Sequence, residues 1–453
     1  MIMKNTLTGD CRKKRLCLLL ICTLFYAGAL LLGGMGIYDD SYQYMDMHIH
    51  REPGYCLFLW VLRQIFQEGG LWAAVILQNL LAVFTTTVVV AFFDEEFQLS
   101  GGETGLLLFL HLIPHIVTPL FSVERVMLAN GIMSEALCYP LFQLFFLYLY
   151  RMVRNKRKRD IAIAALLAFL LAITRGQFMA AFLLWLVVLC VQALMEKEYR
   201  KILLFLVLTV GMFLTRSYAI KSYNYVFNDG YFIENTYGGV NTLTNLLYAS
   251  DREDGEKITT ADNREIFYRM YDCMVEQKWD RGQAGEGLIH QVIFLEEQHD
   301  NIKFLAIESS LQSYLKEQGI SGYIDQNLEA DRISLELIRV LLPDNFALWA
   351  SNYILLALRG LMRCIGIVHP VIGIGVWFFF GLAVVGWIRE WKQNRFSREG
   401  WLMFIGILSI LAISFSAAMT IMCLSRYMIY GFVGFYSALF FILRKWGKER
   451  FGK

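Results

Sequence analysis

Two adjacent carboxylates, Asp39 and Asp40, follow the first apolar run and are the strongest indication of chemistry in the chain. Acidic groups at the edge of a membrane are costly unless they are hydrated, paired or used. The pair is typical of a general base or a metal site, and also of a solvated turn. Its surroundings favour a functional role, with Asp39 as the base because it lies nearer the end of the run.

A further carboxylate, Glu135, stands at the start of another apolar run. Ser134 or Asn130 could cap a helix there, and Glu135 would be favourable in its first turn. The sequence supports this role at the start of a helix and a catalytic role of Glu135 about equally. In the catalytic alternative, Glu135 faces the aspartate pair from the opposite side of a pocket.

Three arginines, Arg175, Arg216 and Arg426, each lie at the end of an apolar run. Any one of them alone is best explained as a side chain that reaches the membrane interface. All three are expected on the same face as the aspartates. Because a guanidinium group binds phosphate through paired donors, together they predict a pocket for an anionic lipid headgroup.

The histidines give weaker indications of a site. Asp46, His48 and His50 alternate along the first loop and could ligate a metal from an extended strand, although no fixed zinc motif is present. His111 and His115 are four residues apart and share a helix face, where hydrogen-bonded packing is expected rather than metal binding. A divalent metal ion stays an open option, and no other cofactor is indicated.

The composition is that of a membrane protein. Hydrophobic residues make up 57% of the 453 residues and charged residues 18%, where soluble domains have about a quarter. The net charge of +2 gives no reason to expect a nucleic-acid partner. The apolar residues are concentrated in runs long enough to cross a bilayer. Nine such runs and one shorter run (161–174) are predicted, the nine being 16–37, 71–93, 104–123, 132–150, 176–195, 202–220, 367–388, 401–421 and 427–443.

The positions of the basic residues predict the topology. The segments at 151–159 and 197–201 are both basic, so both are expected in the cytoplasm. The chain must then cross twice between them, with Arg175 at the outer tip of a hairpin. Ten spans with both termini in the cytoplasm follow, in what we expect to be a bacterial plasma membrane. The outer loop 38–70 should contain an amphipathic helix that starts at Pro53.

These features predict an all-α polytopic membrane protein of about ten transmembrane helices with a small, mainly helical extracytoplasmic domain. Apolar residues recur at helical spacing in 262–276 and 326–341, inside the only long polar region. An apolar stretch with two arginines, 346–363, is expected to be an interfacial helix. The predicted parts are an N-terminal transmembrane module (1–220), the extracytoplasmic domain (221–345), and the interfacial helix with a C-terminal transmembrane module (346–453).

In this layout the chain resembles the polytopic GT-C glycosyltransferases, such as protein O-mannosyltransferases and the aminoarabinose transferases of bacterial lipid A. The resemblance covers roughly 15–220 and 365–443, and the region 221–345 lies outside it. Two histidines follow the aspartates here, which departs from the family. The motifs that carry the resemblance are at 39–42, 51–55, 134–137, 174–176 and 425–427.

The resemblance implies an inverting glycosyltransferase that moves a sugar from a polyprenyl-phosphate donor to an acceptor hydroxyl on a lipid, protein or glycan. Asp39, Asp40 and Glu135 would then be catalytic residues. A transporter or lipid flippase, and a polymerase of cell-surface polysaccharides, are the alternatives that the sequence leaves open. The substrate-binding residues would be Arg51, Tyr55, Arg175, Arg216, Arg426 and Tyr427.

Overall fold

The computed structural model describes residues 9–121, 125–363, 370–394, 397–420 and 423–451. The described chain is almost entirely helical and contains no β-strand. It divides into two compact units. The first comprises Met1–Ile220, Leu361–Ile413 and Leu424–Lys453, and the second comprises Lys221–Gly360 and Ser414–Cys423.

The helices that belong mainly to the first unit include nearly all of the long apolar ones. They are α1 (Gly9–Gly33), α2 (Asp39–Met45), α3 (Pro53–Phe66), α4 (Gly70–Phe97), α5 (Gly101–Phe121), α6 (Ser134–Asn155), α7 (Lys158–Thr174), α8 (Met179–Met195) and α9 (Tyr199–Phe227). The last three helices of the chain come after the main segment of the second unit. They are α15 (Pro370–Asn394), α16 (Arg398–Thr420) and α17 (Ser425–Phe451).

Among the described residues, nine helical stretches are long and apolar enough to cross a membrane. They correspond to the nine predicted runs, except that α3 and α4 join into one stretch, Pro53–Phe97. The shorter run is present as α7, a separate helix of 17 residues. A turn at Arg175 separates α7 from α8, as the hairpin prediction requires. The tips of three runs, at 122–123, 367–369 and 421, lie outside the described residues.

The second unit is helical, as predicted for the polar region. It contains α10 (Gly238–Ala249), α11 (Ala261–Glu276), α12 (Leu288–Asp300), a π-helix (Asn301–Glu308), α13 (Ser309–Glu317) and α14 (Tyr323–Arg363). The expected boundary near residue 345 does not appear as a break, because α14 runs through it without interruption. Pro343 lies inside this helix, so the residues expected to form a separate interfacial helix are its C-terminal half.

The loop after α1 is fixed by the segment before α6. Helix α1 ends at Gly33, and Gly34 adopts a positive φ of 65°, a conformation that glycine adopts without steric cost. A short parallel bridge then pairs Gly36 with Gly131. The hydroxyl of Ser41 donates to the carbonyl of Ile132 at 2.6 Å. These contacts place the start of α2 directly beside the start of α6.

Helix α3 starts at Pro53, as predicted, and packs tightly against the end of α7. A side chain at Gly54 would lie 2.6 Å from the Thr174 hydroxyl and 2.9 Å from the Ile173 carbonyl oxygen, closer than packed atoms tolerate. Only glycine allows this approach. It brings the residues before α3 next to the turn between α7 and α8, where Arg175 lies.

The two-crossing hairpin can be tested by cysteine labelling in a chain whose Cys273 is replaced by serine. Glu68 and Arg157 are both exposed and lie in turns that the topology assigns to opposite sides of the membrane. We expect an impermeant maleimide to label Glu68→Cys in intact cells and to label Arg157→Cys only after the membrane is opened. Labelling of Arg157→Cys in intact cells would mean that the chain crosses once between 161 and 195.

Candidate functional site

Five charged side chains from five segments of the first unit form a continuous series of ion pairs, here called the charged cluster. Its members, in spatial order, are Arg51, Asp40, Arg426, Glu135 and Arg175. The Asp40 carboxylate lies 2.6 Å from Arg51 Nη2 and 3.3 Å from Arg426 Nη2. The Glu135 carboxylate lies 3.8 Å from Arg426 Nε and 3.0 Å from Arg175 Nη1. Positive and negative groups therefore alternate along the whole series.

Asp40 lies in the first turn of α2 and is shared by two arginines. Burial acts to raise the pKa of its carboxyl group, but the positive charges of Arg51 and Arg426 outweigh burial and hold the pKa below its ordinary value. Asp40 is therefore ionised at neutral pH and accepts a proton only weakly. Its geometry suits a group that holds the two arginines in place.

Arg51 is held by the helix that carries Asp40. Its Nε donates to Gln43 Oε1 at 2.9 Å, and its Nη2 also contacts this oxygen. The guanidinium carbon lies 4.8 Å from the centre of the Tyr44 ring, a cation–π distance. Gln43 and Tyr44 are three and four residues after Asp40, so one turn of α2 presents all three contacts to Arg51.

Glu135 is only 2% exposed and lies in the first turn of α6. Neither Ser134 nor Asn130 caps this helix, since the N-cap position is Met133 and no side chain bonds there. The Ser134 hydroxyl instead accepts from Arg175 Nη1 at 3.0 Å. The capping explanation of this motif is therefore wrong, and Ser134 and Glu135 both contact Arg175.

Tyr427 lies against both neighbouring arginines. The guanidinium carbons of Arg175 and Arg426 lie 4.4 Å and 4.9 Å from the centre of its ring. Its hydroxyl accepts from Arg426 Nη2 at 2.8 Å, and its backbone carbonyl accepts from Gln177 Nε2 at 3.0 Å. An aromatic face attracts cations, so the ring stabilises two positive charges that would otherwise repel each other.

Two atoms inside the charged cluster lack a hydrogen-bond partner among the described residues. They are Arg426 Nε and Glu135 Oε1, and both are buried. Their separation of 3.8 Å is too long for a hydrogen bond. The cluster contains three arginines and two carboxylates, so one positive charge is in excess. A guanidinium nitrogen whose ion pair is too long for a hydrogen bond, and a surplus positive charge, are properties of a site that can take an anion.

Asp39 lies beside the charged cluster but takes no part in it. Its side chain is exposed at the start of α2, and it has no ion-pair partner within the described ranges. The two aspartates that the sequence presents as a pair thus have different surroundings. Asp40 pairs with two arginines, whereas the side chain of Asp39 is exposed to solvent.

The structure separates Arg216 and Tyr55 from the charged cluster. Arg216 Nη2 lies 3.6 Å from Glu52 Oε1, and its Nε donates to the Ala172 carbonyl at 3.1 Å. The Tyr55 hydroxyl is buried and donates to Gln78 Oε1 at 2.8 Å. Arg175 and Arg426 therefore share one site as expected, and Arg216 forms a neighbouring pair of its own.

The predicted metal ligands do not converge. Within the residues that the structure describes, no group of three or more His, Cys, Asp or Glu side chains is arranged to hold a metal ion. His50 Nε2 lies 2.9 Å from Gln43 Oε1, and the rings of His48 and His50 pack edge to face with centres 5.3 Å apart. Asp46 is exposed. These histidines support the loop that carries Arg51.

No family model, no curated protein and no solved structure matches the chain. The chemistry of the charged cluster is therefore the basis of the functional inference.

Several contact residues were not predicted from the sequence. Gln43 and Tyr44 could have been found, because they follow Asp40 at helical spacing and α2 begins at the aspartate pair. Gln177 and Ser134 could not, because their roles depend on which helix ends meet. Glu52 pairs with Arg216 only because α3 approaches the α7–α8 turn.

Removing the charge of Glu135 tests whether the charged cluster holds the helix ends together. Glu135→Gln keeps the shape of the side chain but leaves Arg175 and Arg426 without their shared carboxylate. Breaking a buried ion pair on one side costs about 3 kcal/mol. We expect a lower thermal unfolding midpoint in detergent, while the exposed control Glu68→Gln stays at the wild-type value. An unchanged midpoint for Glu135→Gln would show that the cluster contributes nothing to stability.

Proposed function

We propose that the chain is a membrane glycosyltransferase that transfers a sugar from a polyprenyl-phosphate donor to an acceptor hydroxyl, with inversion at the anomeric carbon. The observation that supports this best is the charged cluster itself. The five groups carry one surplus positive charge, the buried Arg426 Nε has no hydrogen-bond acceptor, and the exposed Asp39 directly precedes Asp40 in the chain. This arrangement provides an anion site and a base in immediate proximity.

The anion would be the phosphate of the lipid donor. Phosphate leaves readily, so its departure requires stabilisation of negative charge more than a strong acid. Arg426 can supply it, because its Nε lacks an acceptor and its Nη2 is already oriented by Asp40 at 3.3 Å. Arg175 adds a second guanidinium on the other side of Glu135.

The base would be Asp39. The acceptor oxygen forms a bond to the anomeric carbon, the bond from that carbon to the phosphate oxygen breaks, and the acceptor proton passes to the Asp39 carboxylate. Asp40 is a weaker choice because two arginines lower its pKa. Its proposed role is to orient Arg426 and Arg51. Glu135 would orient Arg175 and Arg426 in the same way.

A transporter, a lipid flippase and a polysaccharide polymerase remain the alternatives. All would use an anionic lipid or sugar at such a site, so binding alone does not separate them. A flippase moves the lipid without breaking the sugar–phosphate bond. Incubation of purified protein with a polyprenyl-phosphate sugar and a mixture of membrane acceptors distinguishes them, because only a transferase or polymerase releases polyprenyl phosphate.

The assignment of the base predicts unequal effects at the two aspartates. Asp39→Asn should lower the transfer rate by about 100-fold or more, as expected for a lost general base. Because Asp39 is exposed and unpaired, its thermal unfolding midpoint should not change. Asp40→Asn should lower both the transfer rate and the unfolding midpoint, since it frees two arginines. The matched control is Asp46→Asn, an exposed aspartate in the same loop. Full activity of both Asp39→Asn and Asp40→Asn would contradict this mechanism.

The phosphate role of Arg426 predicts sensitivity to a conservative change. Arg426→Lys keeps the positive charge but loses the fork of donors that phosphate requires. We expect weaker binding of polyprenyl phosphate, measured by native mass spectrometry, and still weaker binding by Arg426→Ala. Arg63→Lys is the control, because Arg63 is exposed on α3 and its Nη1 donates to the Met45 carbonyl at 2.9 Å, outside the charged cluster. Equal binding by Arg426→Lys, Arg426→Ala and the wild type would exclude Arg426 from the phosphate site.

A further inference from the structure

A second polar site lies inside the helices of the first unit, one helical turn beyond the charged cluster along α17. A small cavity is lined by side chains of α4, α5, α6 and α17. Most of its wall is apolar, including Val89, Phe93 and Val433. Four polar side chains interrupt this wall, and they are His111, Gln143, Tyr430 and Ser437.

All four polar side chains have atoms without a hydrogen-bond partner among the protein atoms described. These are both ring nitrogens of His111, both amide atoms of Gln143, and the hydroxyls of Tyr430 and Ser437. His111, Tyr430 and Ser437 are each 1% exposed, and Gln143 is 4% exposed. The hydrogen-bonded packing expected for His111 is therefore wrong for its side chain. Leaving a buried polar group unpaired costs about 1–3 kcal/mol, so four such side chains on one cavity wall favour a shared polar partner inside it.

We propose that this cavity is a binding site for an ordered water molecule. The cavity volume is about 10 Å³, roughly the minimum that one buried water needs. Buried waters usually make about three hydrogen bonds. His111, Tyr430 and Ser437 can provide three, with Gln143 as a further amide on the wall. Such a water joins α5 to α17.

The water site supports the charged cluster from the interior of the bundle. Tyr430 follows Arg426 by one turn of α17. Its ring packs edge to face on Phe178, with ring centres 4.8 Å apart, and Phe178 lies in the turn that carries Arg175. A water that fixes the Tyr430 hydroxyl therefore also fixes the surface on which that turn rests. This inference does not depend on the proposed transferase activity.

The shift of the thermal unfolding midpoint on mutation has opposite signs for a cavity that holds water and for a cavity that does not. If the groups are unpaired, Ser437→Ala and Tyr430→Phe remove a buried penalty and raise the thermal unfolding midpoint. If water joins them, each change takes a bond from that water and lowers the midpoint, by about 2 °C. The matched control is Ser409→Ala, a buried serine with an unpartnered hydroxyl that does not line this cavity. We expect Ser437→Ala to fall below Ser409→Ala. A midpoint raised by both cavity variants would overturn the proposal.

Radiolytic hydroxyl labelling of the wild-type protein gives a direct readout that needs no variant. Hydroxyl radicals form at bound water and modify the side chain that contacts it. Tyr139 is as buried as Tyr430, but its hydroxyl already donates to the His111 carbonyl at 3.2 Å. We expect at least a several-fold higher labelling rate at Tyr430 than at Tyr139. Equal labelling of the two tyrosines would contradict a water at this site.

Discussion

The interaction on which the site depends is the sharing of the buried Glu135 carboxylate by Arg175 and Arg426. A carboxylate this deeply buried is strongly unfavourable unless positive groups surround it. The two arginines lie on different segments, one in the turn between α7 and α8 and the other at the start of α17. The Glu135 carboxylate therefore holds together the start of α6, the turn between α7 and α8, and the start of α17. Asp40 extends the series to the loop before α3 through Arg51.

These contacts hold the arginines in place but leave one of their nitrogen donors without a hydrogen bond. The Tyr427 ring contacts Arg175 and Arg426, and the Gln177 amide accepts from Arg175 and donates to the Tyr427 carbonyl. A buried donor on Arg426 nevertheless has no acceptor among the described residues, and one positive charge is not balanced within the cluster. Enzymes stabilise a developing anion with hydrogen-bond donors that are already in position and have no other acceptor. The same features would serve a binding protein for anionic lipids, so the proposed transferase differs from such a protein only by its use of the exposed Asp39 carboxylate as a base.

Much of the fold could be predicted from the sequence, because the hydropathy of a run and the basic residues beside it are local properties of the chain. The apolar runs, the separate α7 and α8 helices and the start of α3 at Pro53 follow from patterns within about twenty residues. The sequence did not predict that α14 is continuous. Arg359 and Arg363 indicated a helix at the membrane interface that begins near residue 346. In the structure Arg359 pairs with Glu296 within the second unit. At the site, residue types predicted that Arg175 and Arg426 belong together. The different surroundings of Asp39 and Asp40, and the separate pairing of Arg216, depend on contacts between distant helix ends that no local pattern records.

A cryo-electron microscopy structure of the purified protein with polyprenyl phosphate tests the central claim most directly, because it locates the anion. The account predicts phosphate density within hydrogen-bond distance of Arg426 Nε, on the side of the charged cluster where Asp39 is exposed. The Asp39 carboxylate should lie within reach of the position that the sugar would occupy. Phosphate bound at another place on the protein, with Arg426 still paired only to Asp40 and Tyr427, would contradict the assignment of the charged cluster as the donor site.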